Sequence, residues 1–209
     1  MFVGVEFGSC YVYSPQGACP LSQRSRRARK FLKAGDCAFL RRYVRIVSDR
    51  VESGCEIARL FDGRPILVPV PGSCKCGHDS PWVAQRLCLA LRSHGLGRGV
   101  WAGLKRVNAV RKSGTAPRDQ RPSTWAHYRS FAVDSPPPEV DRFLLVDDIV
   151  TRGRTLLAAA TRLQEACPRA RIGAFAFVRT MGLIPNVERL VDPCIGEICW
   201  RNGDARRAP

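Results

Sequence analysis

The stretch Arg142-Phe143-Leu144-Leu145-Val146-Asp147-Asp148-Ile149-Val150-Thr151-Arg152-Gly153-Arg154-Thr155, RFLLVDDIVTRGRT, decides the fold. Its apolar run from Phe143 to Val146 reads as a strand covered on both faces, the pattern of a parallel sheet. Leu156 to Leu163, LLAAATRL, follows and is rich in strong helix formers. The segment is therefore strand, loop, helix. The loop leaves the carboxyl end of the strand, where open α/β sheets bind ligands. Thr151 to Thr155 then stands at a helix N-terminus, whose free N–H groups and dipole favour an anion. Gly153 allows close approach of the backbone, and the Thr151 and Thr155 hydroxyls add donors. Such a loop suits a phosphate monoester.

The two aspartates answer to a different demand, because they would repel a phosphate. An ionised carboxylate only accepts hydrogen bonds, so the pair suits a diol or a metal. A ribose bearing a 5′-phosphate presents both a diol and an anion. Each charge-assisted bond to a hydroxyl is worth about 1.5–3 kcal/mol. The plainer reading is a pair that ends the strand and caps the helix after it.

Leu144 to Thr155, LLVDDIVTRGRT, resembles the PRPP-binding motif of type I phosphoribosyltransferases: an apolar strand, two acidic residues, then Thr-x-Gly-x-Thr. The resemblance implies that Asp147 and Asp148 hold the ribose hydroxyls. It gives the 5′-phosphate to Thr151, Arg152, Gly153, Arg154 and Thr155. Upstream, Pro65 to Ser73, PILVPVPGS, is a short apolar strand that resembles the strand and pyrophosphate loop of the ComF-like branch. Pro69 and Pro71 each remove a backbone donor, so they fit the end of a strand better than its middle. There the chain turns to present N–H groups to an anion. Pro71, Gly72 and Ser73 are the expected pyrophosphate loop. A helix over Pro81 to Leu91 follows, capped by Asp79 or Ser80.

Gly99 to Leu104 reads as a short strand, and Lys105 to Pro122 as a long polar loop. Loops of that length in a compact domain are functional lids or disordered. By the resemblance, Lys105, Arg106 and Lys112 meet the pyrophosphate. Ser123 to Phe131 ends the excursion and docks it through aromatic side chains. Arg171 to Val178 reads as another buried strand, with Arg179 and Thr180 at its carboxyl end. Cys194 to Trp200 is a further strand candidate, with Trp200 either packed or stacking on a base. Arg201 to Pro209 looks frayed.

The fold class expected is α/β: a type I phosphoribosyltransferase-like parallel sheet flanked by helices. Residues 61–185 form the core. Residues 1–60 are expected as an N-terminal addition that forms part of the hood, and 186–209 as a C-terminal strand and tail. In the addition, Tyr11 to Tyr13 suggests a strand, Leu21 to Leu32 a basic helix with Ser22 as cap, and Ala38 to Val47 a helix with an apolar stripe.

Lys and Arg total 34 against 18 Asp and Glu, a formal net charge of +16 over 209 residues. Such a field draws in an anionic substrate, and an Arg-rich face also suits nucleic acid. No apolar run approaches the ~20 residues that span a bilayer, and Met1 to Phe7 lacks the pattern of a signal peptide. A cytoplasmic protein without membrane partners is expected. Ten cysteines then stand as free thiols. Cys74-Lys75-Cys76-Gly77-His78 lacks a usual zinc spacing, and the N-terminal Cys-x-x-Cys zinc module frequent in ComF-type proteins is missing.

The resemblance implies transfer of ribose 5-phosphate from PRPP to a nitrogen nucleophile, a base or an amine, with release of pyrophosphate. It implies Mg²⁺ as cofactor, held by Asp147 and Asp148 indirectly through PRPP. A homodimer is a further candidate assembly. Two other readings keep the same pocket. One is a PRPP- or nucleotide-binding regulator without catalysis, acting on nucleic acid through the Arg-rich face. The other is an enzyme that cleaves nucleosides or nucleotides with water.

Overall fold

The computed structural model describes residues 2–73, 82–111, 117, 120–135, 140–182, 184 and 186–209. In chain order the elements are β1 (Val5–Tyr13), α1 (Pro20–Ala34), α2 (Cys37–Glu52), a 3-10 turn (Glu56–Leu60), β2 (Ile66–Pro69), α3 (Val83–Ser93), β3 (Gly99–Val100), β4 (Leu104–Arg106), α4 (Thr124–Ser130), β5 (Phe131–Val133), β6 (Arg142–Val150), α5 (Arg154–Ala166), β7 (Arg171–Thr180), β8 (Val191–Arg201) and β9 (Asp204–Ala208). Among the described residues, seven strands form one sheet in the order β3-β2-β6-β7-β1-β8-β9. The first five of these are mutually parallel, and β8 and β9 close one edge antiparallel. β4 and β5 make a separate antiparallel pair. The architecture is α/β with a mostly parallel sheet.

The apolar run of β6 explains the layering. Side chains alternate across a strand. Phe143 and Leu145 pack with Leu156, Leu157 and Leu163 of α5 on one face. Leu144 and Val146 pack with Leu32 of α1, Tyr43 and Val44 of α2 and Leu87 of α3 on the other. The continuous hydrophobic run is therefore needed, because both faces of the strand are covered. The stripe expected on the second helix is present: Leu40, Tyr43, Val44 and Val47 are buried, and Tyr43 stacks on Tyr11 at 3.9 Å.

The chain order fixes where ligands can sit. From β2 the chain passes through α3 to β3, toward one edge. From β6 it passes through α5 to β7, toward the other. Parallel crossovers are right-handed, so opposite directions place α3 and α5 on opposite faces. The chain therefore leaves β2 and β6 toward opposite faces of the sheet. That is the topological switch point of an open α/β sheet.

Several expectations are altered. β6 does not stop at Val146 but runs through both aspartates to Val150. The N-terminal segment is not peripheral: β1 lies inside the main sheet, between β7 and β8. The tail is not frayed, since β9 pairs with β8 from Asp204 to Ala208. α1 is capped by Cys19, whose sulfur accepts from the Ser22 amide, not by Ser22. The helix read from Pro81 runs Val83–Ser93, and the caps proposed for it at Asp79 and Ser80 lie outside the described residues. Trp200 is packed: its ring lies 4.6 Å from Phe2 and 6.4 Å from Trp125. Among the described residues, no helix is long and apolar enough to cross a membrane.

Phe175 on β7 is fully buried, with Phe61 and Phe177 in edge contact at 5.3 and 5.2 Å. Phe175→Ala is expected to cost about 3–5 kcal/mol in denaturant unfolding. A loss below about 1 kcal/mol would show that this face is not the continuous core described here.

Candidate functional site

The site begins where β6 runs out of hydrophobic residues. Asp147 and Asp148 are consecutive on the strand, so their side chains leave on opposite faces. Asp148 takes the face of α1 and is 7 % exposed. Lys33, in the last turn of α1, reaches it with Nζ 2.5 Å from Oδ2. A buried carboxylate is costly without such a partner. Asp147 opposes Ala176 of β7, and its Oδ1 accepts a 2.8 Å bond from the Asp148 amide. Burial, then the neighbouring Asp148 charge, raise the proton affinity of Asp147 well above that of an ordinary carboxylate, and Lys33 offsets part of the rise.

The loop after β6 has the form of an anion cradle. Gly153 has φ of 85° and stands at the N-cap of α5 without a side-chain cap. A Cβ on Gly153 would lie 2.5 Å from the side chain of Ile198 on β8, so both backbone and packing demand glycine. Among the described residues, none of the hydrogen bonds outside the regular elements is donated by an amide from Thr151 to Thr155. Those amides, at the start of a 13-residue helix, stay open to an anion.

The side chains of this loop are a correction. Arg152 and Arg154 were expected over the phosphate, but both guanidinium groups turn to Asp204 of β9. Arg152 NH1 lies 3.2 Å from Oδ2. Arg154 donates from Nε to Oδ1 at 2.8 Å and from NH2 to Oδ2 at 2.5 Å. Arg154 also donates to the carbonyls of Pro122 at 3.0 Å and Arg121 at 3.4 Å. These arginines fix the loop to the C-terminal hairpin and to the segment before α4. Although burial works against it, Asp204 is held below the usual carboxylate range by these bonds.

Thr155 Oγ1 lies 3.5 Å from Nε2 of His127 on α4. His127 is buried, and its Nδ1 has no hydrogen-bond partner among the described residues. Burial, then Arg106 and Arg154, push its pKa down to about 4, so the ring is neutral at neutral pH. A charged group beside the cradle would add a cation; a neutral imidazole adds only an acceptor or donor for the Thr155 hydroxyl.

The second loop leaves β2 beside β6. Pro69 pairs with Val146, and the Val70 amide donates to the Val146 carbonyl at 2.9 Å. Trp82 Nε1 donates to the Val70 carbonyl at 3.2 Å, and the Val110 amide to the Ser73 carbonyl at 2.9 Å. Arg106 was expected on the pyrophosphate. Instead it is 3 % exposed and grips the loop from behind. Its guanidinium donates to the carbonyls of Gly72 and Pro71 and to the Ser130 hydroxyl, and lies 4.2 Å over the Phe131 ring. In a trans peptide the C=O and N–H point oppositely. With both carbonyls drawn to Arg106, the amides of Gly72 and Ser73 face away from it. Arg106 thus orders an N–H cradle without being its wall. Lys105 reaches Asp134 at 2.6 Å across the β4–β5 pair. Lys112 and the Cys74-to-His78 run lie outside the described residues.

The structure therefore brings Asp147, Asp148, Thr151–Thr155 and Pro71–Ser73 to the carboxyl ends of two adjacent parallel strands. It adds three residues that the sequence reading passed over: Lys33, His127 and Asp204. Among the described residues, no group of three His, Cys, Asp or Glu side chains could hold a metal by itself. Asp147 supplies hard oxygen donors, which fits Mg²⁺ held mainly by a phosphorylated substrate with one or two carboxylates. No known family model matches the chain, and no curated protein matches it.

Two outcomes are expected. Asp147 binds a proton in the folded state at a pH where the unfolded chain has lost it, so its ionisation costs stability as pH rises through the raised value. Asp147→Asn should therefore raise the melting temperature by several degrees at pH 8 and change it little near pH 3, where folded and unfolded chains both keep the proton. Equal destabilisation at both would place the carboxyl in a different environment. Asp204→Asn should cost about 1–3 kcal/mol in denaturant unfolding by loosening two arginines, whereas an unchanged midpoint would mean that the hairpin does not anchor the loop.

Proposed function

We propose that the protein is a PRPP-dependent transferase of the type I phosphoribosyltransferase kind, ComF-like in its motifs. The observation that carries this reading is the adjacency of two amide cradles at one switch point, with a carboxylate pair between them. A phosphoribosyl pyrophosphate presents two anionic ends joined by a ribose diol, and it matches that order: monoester, diol, pyrophosphate. The +16 charge favours capture of such a substrate.

In this reading the amides of 151–155, with the Thr151 and Thr155 hydroxyls, hold the 5′-phosphate. Asp147 accepts from the ribose hydroxyls. Asp148 is already matched by Lys33, so it positions that ammonium at the same strand end. A nitrogen nucleophile attacks carbon 1, the bond from carbon 1 to the pyrophosphate oxygen breaks, and positive charge develops on the sugar ring as in glycosyl transfer generally. The amides of Gly72 and Ser73 stabilise the departing pyrophosphate. Asp147 would hold Mg²⁺ through the bound substrate, and the ion would supply neutralisation of the leaving group's negative charge. A proton lost by the nucleophile goes to Asp147, whose raised affinity suits a base better than Asp148 held by Lys33.

Pyrophosphate release from PRPP and Mg²⁺, measured across a panel of bases and amines, tests the proposal. Release that depends on one acceptor is expected, and Asp147→Asn should lower kcat/KM at least about hundredfold. Absence of release with every acceptor, together with no PRPP binding in calorimetry, would contradict it.

A further inference from the structure

The opposite edge of the sheet carries a second anionic-ligand surface. Ile66 pairs in register with Gly99 and with Phe143, and Phe143 with Ile172. One position earlier, Arg142 of β6 still pairs with Arg171 of β7, so the two project to the same face, and Pro65 and Arg98 directly precede β2 and β3 in this row.

A cleft of about 370 Å³ opens along this row, lined by Asp62, Gly63, Arg64, Pro65, Asp141, Arg142, Arg169 and Arg171. Four arginines face two aspartates there, and Asp141 is already matched by Arg98 at 3.2 Å. Among the described residues, no ion pair forms to Arg64, Arg169 or Arg171. Arg64, Arg169 and Arg171 are exposed. Arg64 holds φ of 52°, a left-handed conformation unfavourable for a residue with a Cβ. Backbone outliers of this kind cluster at ligand sites. Three exposed arginines exceed what one phosphate needs, and among the described residues no aromatic side chain lines the cleft to stack a base.

We propose that this amino-terminal edge binds the phosphodiester backbone of a nucleic-acid strand without reading its sequence. The ligand's successive phosphates lie along Arg64, Arg169 and Arg171; the Arg142 guanidinium of the same cleft donates to the Arg59 carbonyl at 2.5 Å. The site is separate from that at the carboxyl edge and does not depend on the activity proposed for it.

The test is fluorescence anisotropy of the full chain with an oligothymidylate and an oligouridylate of about 20 nucleotides across a salt series. Both strands should bind alike, with log K falling against log salt at a slope of about −2 for three phosphates neutralised. Arg169→Ala/Arg171→Ala should raise Kd at least about tenfold and flatten the slope by about 1.4. Calorimetric PRPP binding should be unchanged in that variant, and Arg24→Ala/Arg27→Ala on α1 should leave oligonucleotide binding unaltered. Wild-type binding by the edge variant would overturn the proposal. So would equal loss in the α1 variant, or binding of tripolyphosphate with no binding of either strand.

Discussion

The contact between Lys33 and Asp148 is the constraint around which the site is built. β6 must be apolar to sit between two helical layers, yet it carries a carboxylate that is almost wholly buried before it emerges. An unpartnered charge there would oppose folding. A cation delivered from the end of α1 at 2.5 Å resolves the conflict, and it ties the N-terminal helix to the ligand edge. Removing that cation would leave two adjacent carboxylates with only each other.

The same economy runs through the rest of the edge. Cations that look like anion ligands in the sequence are spent on holding backbone and hairpin in place. Arg106 turns the Pro71 and Gly72 carbonyls backward, and Arg152 and Arg154 fasten the phosphate-type loop to Asp204. What remains for an anion is backbone N–H, which cannot swing away. Fixed dipoles need little reorganisation when charge arrives, and that is the property a transfer reaction uses.

Local pattern carried much of this and stopped where pairing became long-range. The run from Phe143 to Leu163 announced its strand, loop and helix, because burial on both faces and helix propensity act within a few residues. The turns that follow β6 and β2 were legible for the same reason. β1 was not placed, because nothing in Val5 to Tyr13 says that its neighbours are β7 and β8, over 160 residues away in sequence. Asp204 was passed over as part of a polar tail; only its pairing in β9 brings it under Arg154. Lys33 had no local signal beyond its place in the last turn of a basic helix. The guanidinium groups misled because charge alone does not say whether an arginine faces a ligand or a carbonyl.

The most direct test separates the sugar from its phosphate. Amide NMR shifts of the isotopically labelled protein would be followed while ribose 5-phosphate, then 2-deoxyribose 5-phosphate, is added. Shifts in Gly153, Arg154 and Thr155 with both sugars are expected, with the ribose bound about tenfold more tightly because its 2′-hydroxyl meets a carboxylate. Shifts confined to other residues, or equal affinity for the two sugars, would contradict a carboxylate at Asp147 that grips a diol beside an amide-lined phosphate cradle.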